Sequence, residues 1–225
     1  MEKLISEDVA GQIKEIFAEM ESAVKIVFFT KQAACDYCDE IDQLIGEVAE
    51  LSDLINVEIL DIEENPDVAE EYNVLYAPTL VMLAQDGDEL TDYGIRLLGA
   101  PAGHEFTTLI HDILYISKRS TDLNDETREY LQNLTEPLLL QVFVTPTCPY
   151  CPQAVLLAHQ MAMESDLVQA EMVEATEYQD LAARHMVSGV PQTTVNDGLA
   201  RVVGAVPAPA LIEQIEAALA NKKTA

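Results

Sequence analysis

The chain has four cysteines, and they fall into two Cys-Xaa-Xaa-Cys pairs, Cys35-Asp36-Tyr37-Cys38 and Cys148-Pro149-Tyr150-Cys151. Each pair follows a short apolar run, Ile26-Val27-Phe28-Phe29 in one case and Leu138-Leu139-Leu140-Gln141-Val142-Phe143-Val144 in the other, and each precedes a helix-like pattern. A cysteine between a strand end and a helix start meets unpaired backbone N–H groups and the positive end of the helix dipole, which favour its thiolate. The thiolate is the species that attacks a disulfide, and a second cysteine three residues on lies one helical turn away, placed to resolve the mixed disulfide. This spacing permits two-step thiol–disulfide exchange, with Cys148 and Cys35 as attacking thiols and Cys151 and Cys38 as the resolving, more buried ones.

The two pairs are unequal in charge. Asp36, Asp39 and Glu40 surround the first, and nearby carboxylates oppose thiolate formation, whereas Pro149 in the second is uncharged. The contrast predicts a lower pKa at Cys148 and a more reactive, more oxidising second pair. Tyr37 and Tyr150 share one motif slot and, with Asp36 and Pro149, are expected to shape the exposed rim of each dithiol.

The elements that must hold these residues can be read from periodicity. Leu4, Ile5, Val9, Ile13, Ile16, Phe17 and Met20 recur at helical spacing, with Ser6 or Asp8 able to cap the start. Val24 to Thr30 has the unbroken apolar character of a strand buried on both faces. A helical stripe then runs from Cys35 through Ile41, Leu44, Ile45 and Val48, followed by a strand over 57–62, a short helix from Pro66 to Tyr72 and a strand over 76–83 entered through Pro78. A turn at 85–88, a return strand ending near Leu98 and a helix from Ala102 to Lys118 complete one α/β unit. Residues 119–136, polar and acidic with a helical pattern through Tyr130, Leu131 and Leu134, form a bridge, and the order then repeats. A strand at 138–144 leads to a helix from Cys148 to about Met163, a strand near 169–173, a short helix through Leu181, and a strand beginning at Gly189-Val190-Pro191. A turn at Asn196-Asp197-Gly198, a return strand over 199–203 and a helix opened by Pro207 finish the chain.

The repeat is quantitative. Cys35 to Pro78 and Cys148 to Pro191 are both 43 residues, and Arg96-Leu97-Leu98-Gly99-Ala100-Pro101 matches Arg201-Val202-Val203-Gly204-Ala205-Val206-Pro207. Two homologous units are expected, residues 1–118 with the first cysteine pair and 119–225 with the second. Spacing alone leaves open whether the two prolines are cis or merely begin strands.

The chain is long enough for one large domain or two of about 110 residues, and its 49% apolar composition can fill a core. Forty acidic residues against twelve basic ones give a net charge of −28, a field that repels nucleic acid and anionic membranes, so neither is expected as a partner. The start shows no signal-peptide pattern, and no run approaches the about 20 apolar residues of a membrane span, so a cytoplasmic location is expected. Thiols are held reduced there, which turns Cys-Xaa-Xaa-Cys pairs towards redox catalysis or metal binding rather than structural cross-links. The acidity itself reads as a solvated surface.

Cys-Pro-Tyr-Cys, the later Val-Pro-Xaa-Thr strand start and the element order resemble a glutaredoxin or thioredoxin fold. The duplication, with Phe-Val-Thr-Pro-Thr-Cys-Pro-Tyr-Cys-Pro in the second unit and Pro-Ala-Gly-His-Glu-Phe at 101–106 in the first, resembles the glutaredoxin-like protein disulfide oxidoreductase family over essentially the whole chain. The resemblance implies two tandem thioredoxin/glutaredoxin-like domains, each a central mixed β-sheet flanked by helices, and an enzyme that reduces, oxidises or isomerises disulfides in protein substrates. It implies cis peptide bonds at Pro78 and Pro191, with the backbone of Ala77 and Val190 pairing with a bound peptide, and recharging by a thioredoxin-reductase-like electron donor. Thioredoxins proper carry a buried aspartate in the strand before the dithiol. The corresponding stretches, Val27 to Phe29 and Val142 to Phe143, have none, so another carboxylate or water must move the protons of Cys38 and Cys151. A glutathione site is not supported, since the expected glycine pair is reduced to Gly204.

No cofactor is expected. One zinc held by all four cysteines would have to bridge 109 intervening residues, against about 15–20 in a zinc ribbon, and an iron–sulfur cluster between two subunits is a minor alternative. The other function classes are an electron carrier dedicated to one peroxidase or reductase, and an adaptor or holdase whose dithiols are secondary. His104, His111, His159 and His185 lie outside the cysteine motifs and read as structural or solvated, and Met161 and Met163 read as core.

Overall fold

The structure is a computed structural model and describes residues 3–31 and 35–222. The first half runs α1 (Glu7–Phe17), β1 (Ala23–Thr30), α2 (Cys38–Ala49), β2 (Ile55–Asp61), α3 (Pro66–Glu71), β3 (Thr79–Asp86), β4 (Glu89–Leu98) and α4 (Glu105–Lys118). A connecting α5 (Asp125–Gln132) follows, and then β5 (Leu138–Val144), α6 (Cys151–Met163), β6 (Val168–Glu174), α7 (Gln179–Arg184), β7 (Gln192–Val195), β8 (Ala200–Val203) and α8 (Ala208–Lys222). The order β-α-β-α-β-β-α thus occurs twice, with the same parallel and antiparallel pairings in each copy.

Local chemistry accounts for these elements. β1 and β5 are runs of β-branched, aromatic and other apolar residues, and Val24, Ile26, Phe28, Phe29, Leu140, Val142 and Phe143 are fully buried. Ser6 caps α1 by accepting the Val9 N–H, and Asn124 caps α5 by accepting that of Thr127. Pro66 occupies the first turn of α3, where a missing N–H does no harm.

The two copies do not keep separate sheets. Their strands form one eight-stranded sheet in the order β2-β1-β3-β4-β6-β5-β7-β8, joined where β4 pairs in parallel with β6 from Ile95 opposite Ala170 to Leu98 opposite Val173. This differs from the sheet per unit that the sequence leads one to expect. Pairing the two inner edges satisfies backbone groups that would otherwise stand exposed on an edge strand. A register shift in β3 between Met82 and Leu83 lies opposite Gly94, which has φ +77° and approaches the Val168 carbonyl so closely that a Cβ there would stand 2.8 Å from it. The main core is continuous across the junction and includes Ile26, Ile95 and Leu109 of the first half with Val142, Val155 and Met172 of the second.

Candidate active site

The second dithiol sits where β5 gives way to α6. Thr145-Pro146-Thr147 leads out of the strand, the Cys148 N–H bonds back to the Thr145 carbonyl at 3.1 Å, and Cys148 and Cys151 are joined as a disulfide with a Cα separation of 5.5 Å. Cys151 is wholly buried, while Cys148 retains 7% exposure beneath the exposed Pro149 and Tyr150. No side chain caps the N-terminus of α6 and its first turn carries no acid, so the positive end of this helix is left to an anion such as the Cys148 thiolate after reduction.

The first dithiol, Cys35–Cys38, has the same Cα separation of 5.5 Å at the start of α2. Both cysteines are half-buried, and Asp36 and Tyr37 are exposed. The first turn of α2 carries Asp39 and Glu40, whose charges offset the positive end of the helix and oppose a thiolate at Cys35. The helical patterns start at Cys35 and Cys148, whereas the helices start at Cys38 and Cys151. At the second site Pro149 disfavours a helical conformation at the residue before it, and at the first Tyr37 has φ −121° and ψ 8°, outside the helical region.

Ala77–Pro78 and Val190–Pro191 are both cis peptide bonds. Pro78 and Pro191 are buried, Ala77 and Val190 half-buried, and each proline carbonyl accepts an N–H from the glycine that ends the return strand: Gly99 at 3.0 Å and Gly204 at 2.8 Å. β3 therefore begins at Thr79, three residues later than the apolar run suggests, because the proline loop stands outside the ladder. In the first half the loop has a further support from the second: the Tyr178 hydroxyl donates to the Pro78 carbonyl at 2.8 Å and its ring meets that of Tyr76 edge-on. Nearby, the Ala100 N–H donates to Glu177 Oε1 at 2.7 Å. Burial pushes the Glu177 carboxyl up to about 7.

The strands before the dithiols carry no buried acid, but a buried carboxylate stands on another element, α4. Glu105, at the start of α4, is 1% exposed, and burial raises its carboxyl to about 7 against the lowering effects of the Thr108 hydroxyl, bonded to Oε2 at 2.6 Å, and of His159. Its position follows from how α4 meets α6. The His104 N–H, at the start of α4, bonds at 3.0 Å to the carbonyl of Pro146 in the loop that leads to α6, and Asp112 Oδ2 meets His159 Nδ1 at 2.8 Å further along, so the two helices run in the same direction. From Asp112 back to Glu105 is seven residues and from His159 back to Cys151 is eight, about 10 Å and about 12 Å of helix rise, which sets Glu105 level with the buried cysteine. Gly103 makes the approach possible. Its φ is +61°, and a Cβ there would lie 2.2 Å from the Pro146 carbonyl oxygen. Among the described residues α1 and α2 present no buried carboxylate to the first dithiol.

The sequence reading does not single out Glu105 or Asp112 and leaves His159 as structural, because their burial depends on how α4 of the first half packs against α6 of the second. The one available signal is Glu105 itself, within Pro-Ala-Gly-His-Glu-Phe. Of the other histidines, His185 is buried against Phe143, and Met161 is fully buried.

Comparison with known proteins fits this geometry. The thioredoxin domain family matches residues 138–217. The alkyl hydroperoxide reductase protein AhpF from Staphylococcus epidermidis is 23% identical over 177 residues, 79% of this chain and 31% of that protein, and its counterpart from Staphylococcus aureus is 21% identical over 193 residues. The chain thus spans about a third of the length of these curated relatives. Among solved structures, a protein disulfide oxidoreductase from Aeropyrum pernix superimposes with a TM-score of 0.85 at 29% identity, covering 93% of this chain and 91% of that one. The NTD_N/C domain of AhpF from Enterococcus faecalis shares the fold with a TM-score of 0.85 at 24% identity, covering 94% and 99%. With the thioredoxin domain family matching residues 138–217, the same topology repeated before it and a Cys-Xaa-Xaa-Cys disulfide in each half, the chain has two thioredoxin-fold units and is similar to a protein disulfide oxidoreductase over most of its length.

Proposed function

We propose that the protein exchanges disulfides with protein substrates chiefly through its second dithiol. Cys148 attacks the substrate disulfide as a thiolate, Cys151 resolves the mixed disulfide, and Glu105 accepts the Cys151 proton. The observation that supports this most is the pairing of a just-accessible Cys148 at an uncapped, acid-free helix start with a fully buried Cys151 level with a buried carboxylate. In this reading Pro191 and Pro78, with the backbone of Val190 and Ala77, seat an extended substrate chain, and Pro149, Tyr150, Asp36 and Tyr37 form the rims. Cys35 and Cys38 are the slower second centre. A thioredoxin-reductase-like dithiol donor returns electrons, and the setting is a reducing cytoplasm; among the described residues no helix is long and apolar enough to cross a membrane. The units divide at 118/119.

Reduction of insulin disulfides by the full chain tests the reading. Cys148→Ser should lose most of the turnover, and full activity in the Cys35→Ser, Cys148→Ser double variant would overturn it. The likeness to the alkyl hydroperoxide reductase protein AhpF favours a second reading, an electron carrier to a peroxide-reducing partner. Turnover would then be low on insulin and high on a disulfide-forming peroxidase, with the same cysteines required.

A further inference from the structure

The loop Tyr76-Ala77-Pro78-Thr79 beside the first dithiol is held from both halves of the chain. Within its own half, the Thr79 hydroxyl donates to the Tyr76 carbonyl at 2.8 Å and the Gly99 N–H to the Pro78 carbonyl at 3.0 Å. From the other half, the Tyr178 hydroxyl donates to the same Pro78 carbonyl at 2.8 Å, so both lone pairs of that oxygen are taken. Burial raises the Tyr178 hydroxyl above its ordinary range, which keeps it a donor. Its ring meets that of Tyr76 edge-on with centroids 5.9 Å apart. The preceding residue, Glu177, accepts the Ala100 N–H on Oε1 at 2.7 Å. Gly99 permits this approach: its φ is +92°, and a Cβ there would stand 2.7 Å from the Glu174 Cβ. Two consecutive side chains of the second half thus grip the proline loop and the strand end that supports it.

The internal repeat shows that this grip is one-sided. Cys35 and Cys148 are 113 residues apart, as are Pro78 and Pro191, and the same step carries Asn65 to Tyr178. Asn65 and Tyr178 stand just before the short helices α3 and α7, and the N–H of each bonds at 2.9 Å to the last residue of the preceding strand, Asp61 or Glu174. The Asn65 side-chain amide turns back to the Asp61 carbonyl and stays within its own half. Tyr178 reaches across, because β2 is an outer strand of the sheet whereas β6 lies against β4, which brings the residues after β6 beside the end of β4. Among the described residues the Pro191 carbonyl has the Gly204 N–H as its partner. The paired β4 and β6 and the shared core already join the halves, so two bonds placed at this loop add little to holding them together.

Resting on the reading that the Pro78 loop seats an extended substrate chain, we infer that Tyr178 and Glu177 of the second half are positioning residues for substrate binding at the first dithiol. They fix the Pro78 carbonyl and the Gly99-Ala100 strand end, and through them the orientation of the Ala77 backbone that pairs with the peptide. Neither side chain touches sulfur or substrate. A peptide or protein disulfide depends on this seat, since its backbone must find donors and acceptors already in place. A small aromatic disulfide has no peptide backbone and reacts at the exposed face of the dithiol without it. The first centre is therefore completed, for protein substrates, by two side chains that its own half does not contain.

The test compares two disulfides on the reduced, full-length chain in a Cys148→Ser, Cys151→Ser background, where only the first dithiol reacts. Single-turnover rate constants are measured with insulin and with 5,5′-dithiobis(2-nitrobenzoate). Tyr178→Phe, which keeps the ring and loses the hydroxyl, should lower the insulin rate about fivefold, and Glu177→Leu about tenfold, with the nitrobenzoate rate unchanged. Glu177→Gln retains an oxygen for the Ala100 N–H and should restore the insulin rate to near that of the parent. In the complementary Cys35→Ser, Cys38→Ser background, where only the second dithiol reacts, the same substitutions should change neither rate, which also shows that the variants fold. Insulin rates unaltered by both Tyr178→Phe and Glu177→Leu would overturn the inference. So would an equal fall with both disulfides or at both dithiols, the signature of packing between the halves. Pro78→Ala separates this from the underlying reading: if it too leaves the insulin rate unchanged, the loop is no substrate seat and both fall, whereas a slowed Pro78→Ala beside unaltered Tyr178→Phe and Glu177→Leu overturns the positioning role alone.

Discussion

Glu105 illustrates how a single residue is given a task by its surroundings. A glutamate at a helix start would ordinarily be ionised in water, yet this one ionises near 7 because it is buried, and a base with that pKa can both take and release a proton near neutrality. Glu105→Gln should slow resolution by Cys151 about a hundredfold at pH 7.5 and flatten its rise with pH through about 7, while attack by Cys148 changes little; rapid-mixing kinetics from pH 5.5 to 9 will show this. Stability carries a matching signature. Between the unfolded value of 4.5 and the folded value of about 7, the native chain holds a proton that the unfolded chain has lost, so its stability falls as pH rises through that window. The Gln variant should lose this part of the slope in urea titrations, leaving the separate contribution of Glu177, which also ionises near 7.

At the scale of elements, the contacts that build the site are those between the halves. Gly103 lets the start of α4 touch the Pro146 carbonyl, and Gly94 lets β4 pair with β6. Gly103→Ala and Gly94→Ala each place a Cβ against backbone at a positive φ, and each should cost roughly 2–4 kcal/mol in denaturant unfolding. Gly103→Ala should also slow resolution at the second dithiol, since it moves Glu105, whereas Gly94→Ala should not. The elements themselves are legible in the sequence: β1 and β5 as unbroken apolar runs, α1 from its periodicity and Ser6, and each proline from its spacing to a cysteine. Those signals are local, carried by side-chain period and turn chemistry. The β4–β6 junction is not legible, because Ile95-Arg96-Leu97-Leu98 has the same composition whether it ends a sheet or continues into another. The gathering of Glu105, Asp112 and His159 into one cluster is hidden for the same reason, as it depends on two helices 33 residues apart in the chain packing side by side.

The whole molecule behaves, on this account, as one folded body with two unequal centres. A single sheet and a core shared across the junction predict one cooperative unfolding transition, with far-ultraviolet circular dichroism and tyrosine fluorescence coincident; two separated transitions would contradict the shared core. The inequality of the centres is set by where charge lies. Asp36, Asp39 and Glu40 crowd the first dithiol of a chain that already carries −28, while the second has an acid-free helix start. The pKa of each attacking thiol tests that inequality most directly, measured by the pH dependence of iodoacetamide alkylation in chains with one dithiol pair replaced by serine and the remaining resolving cysteine also serine. The account predicts a Cys148 value about one unit or more below that of Cys35. Equal values, or a lower value at Cys35, would contradict it.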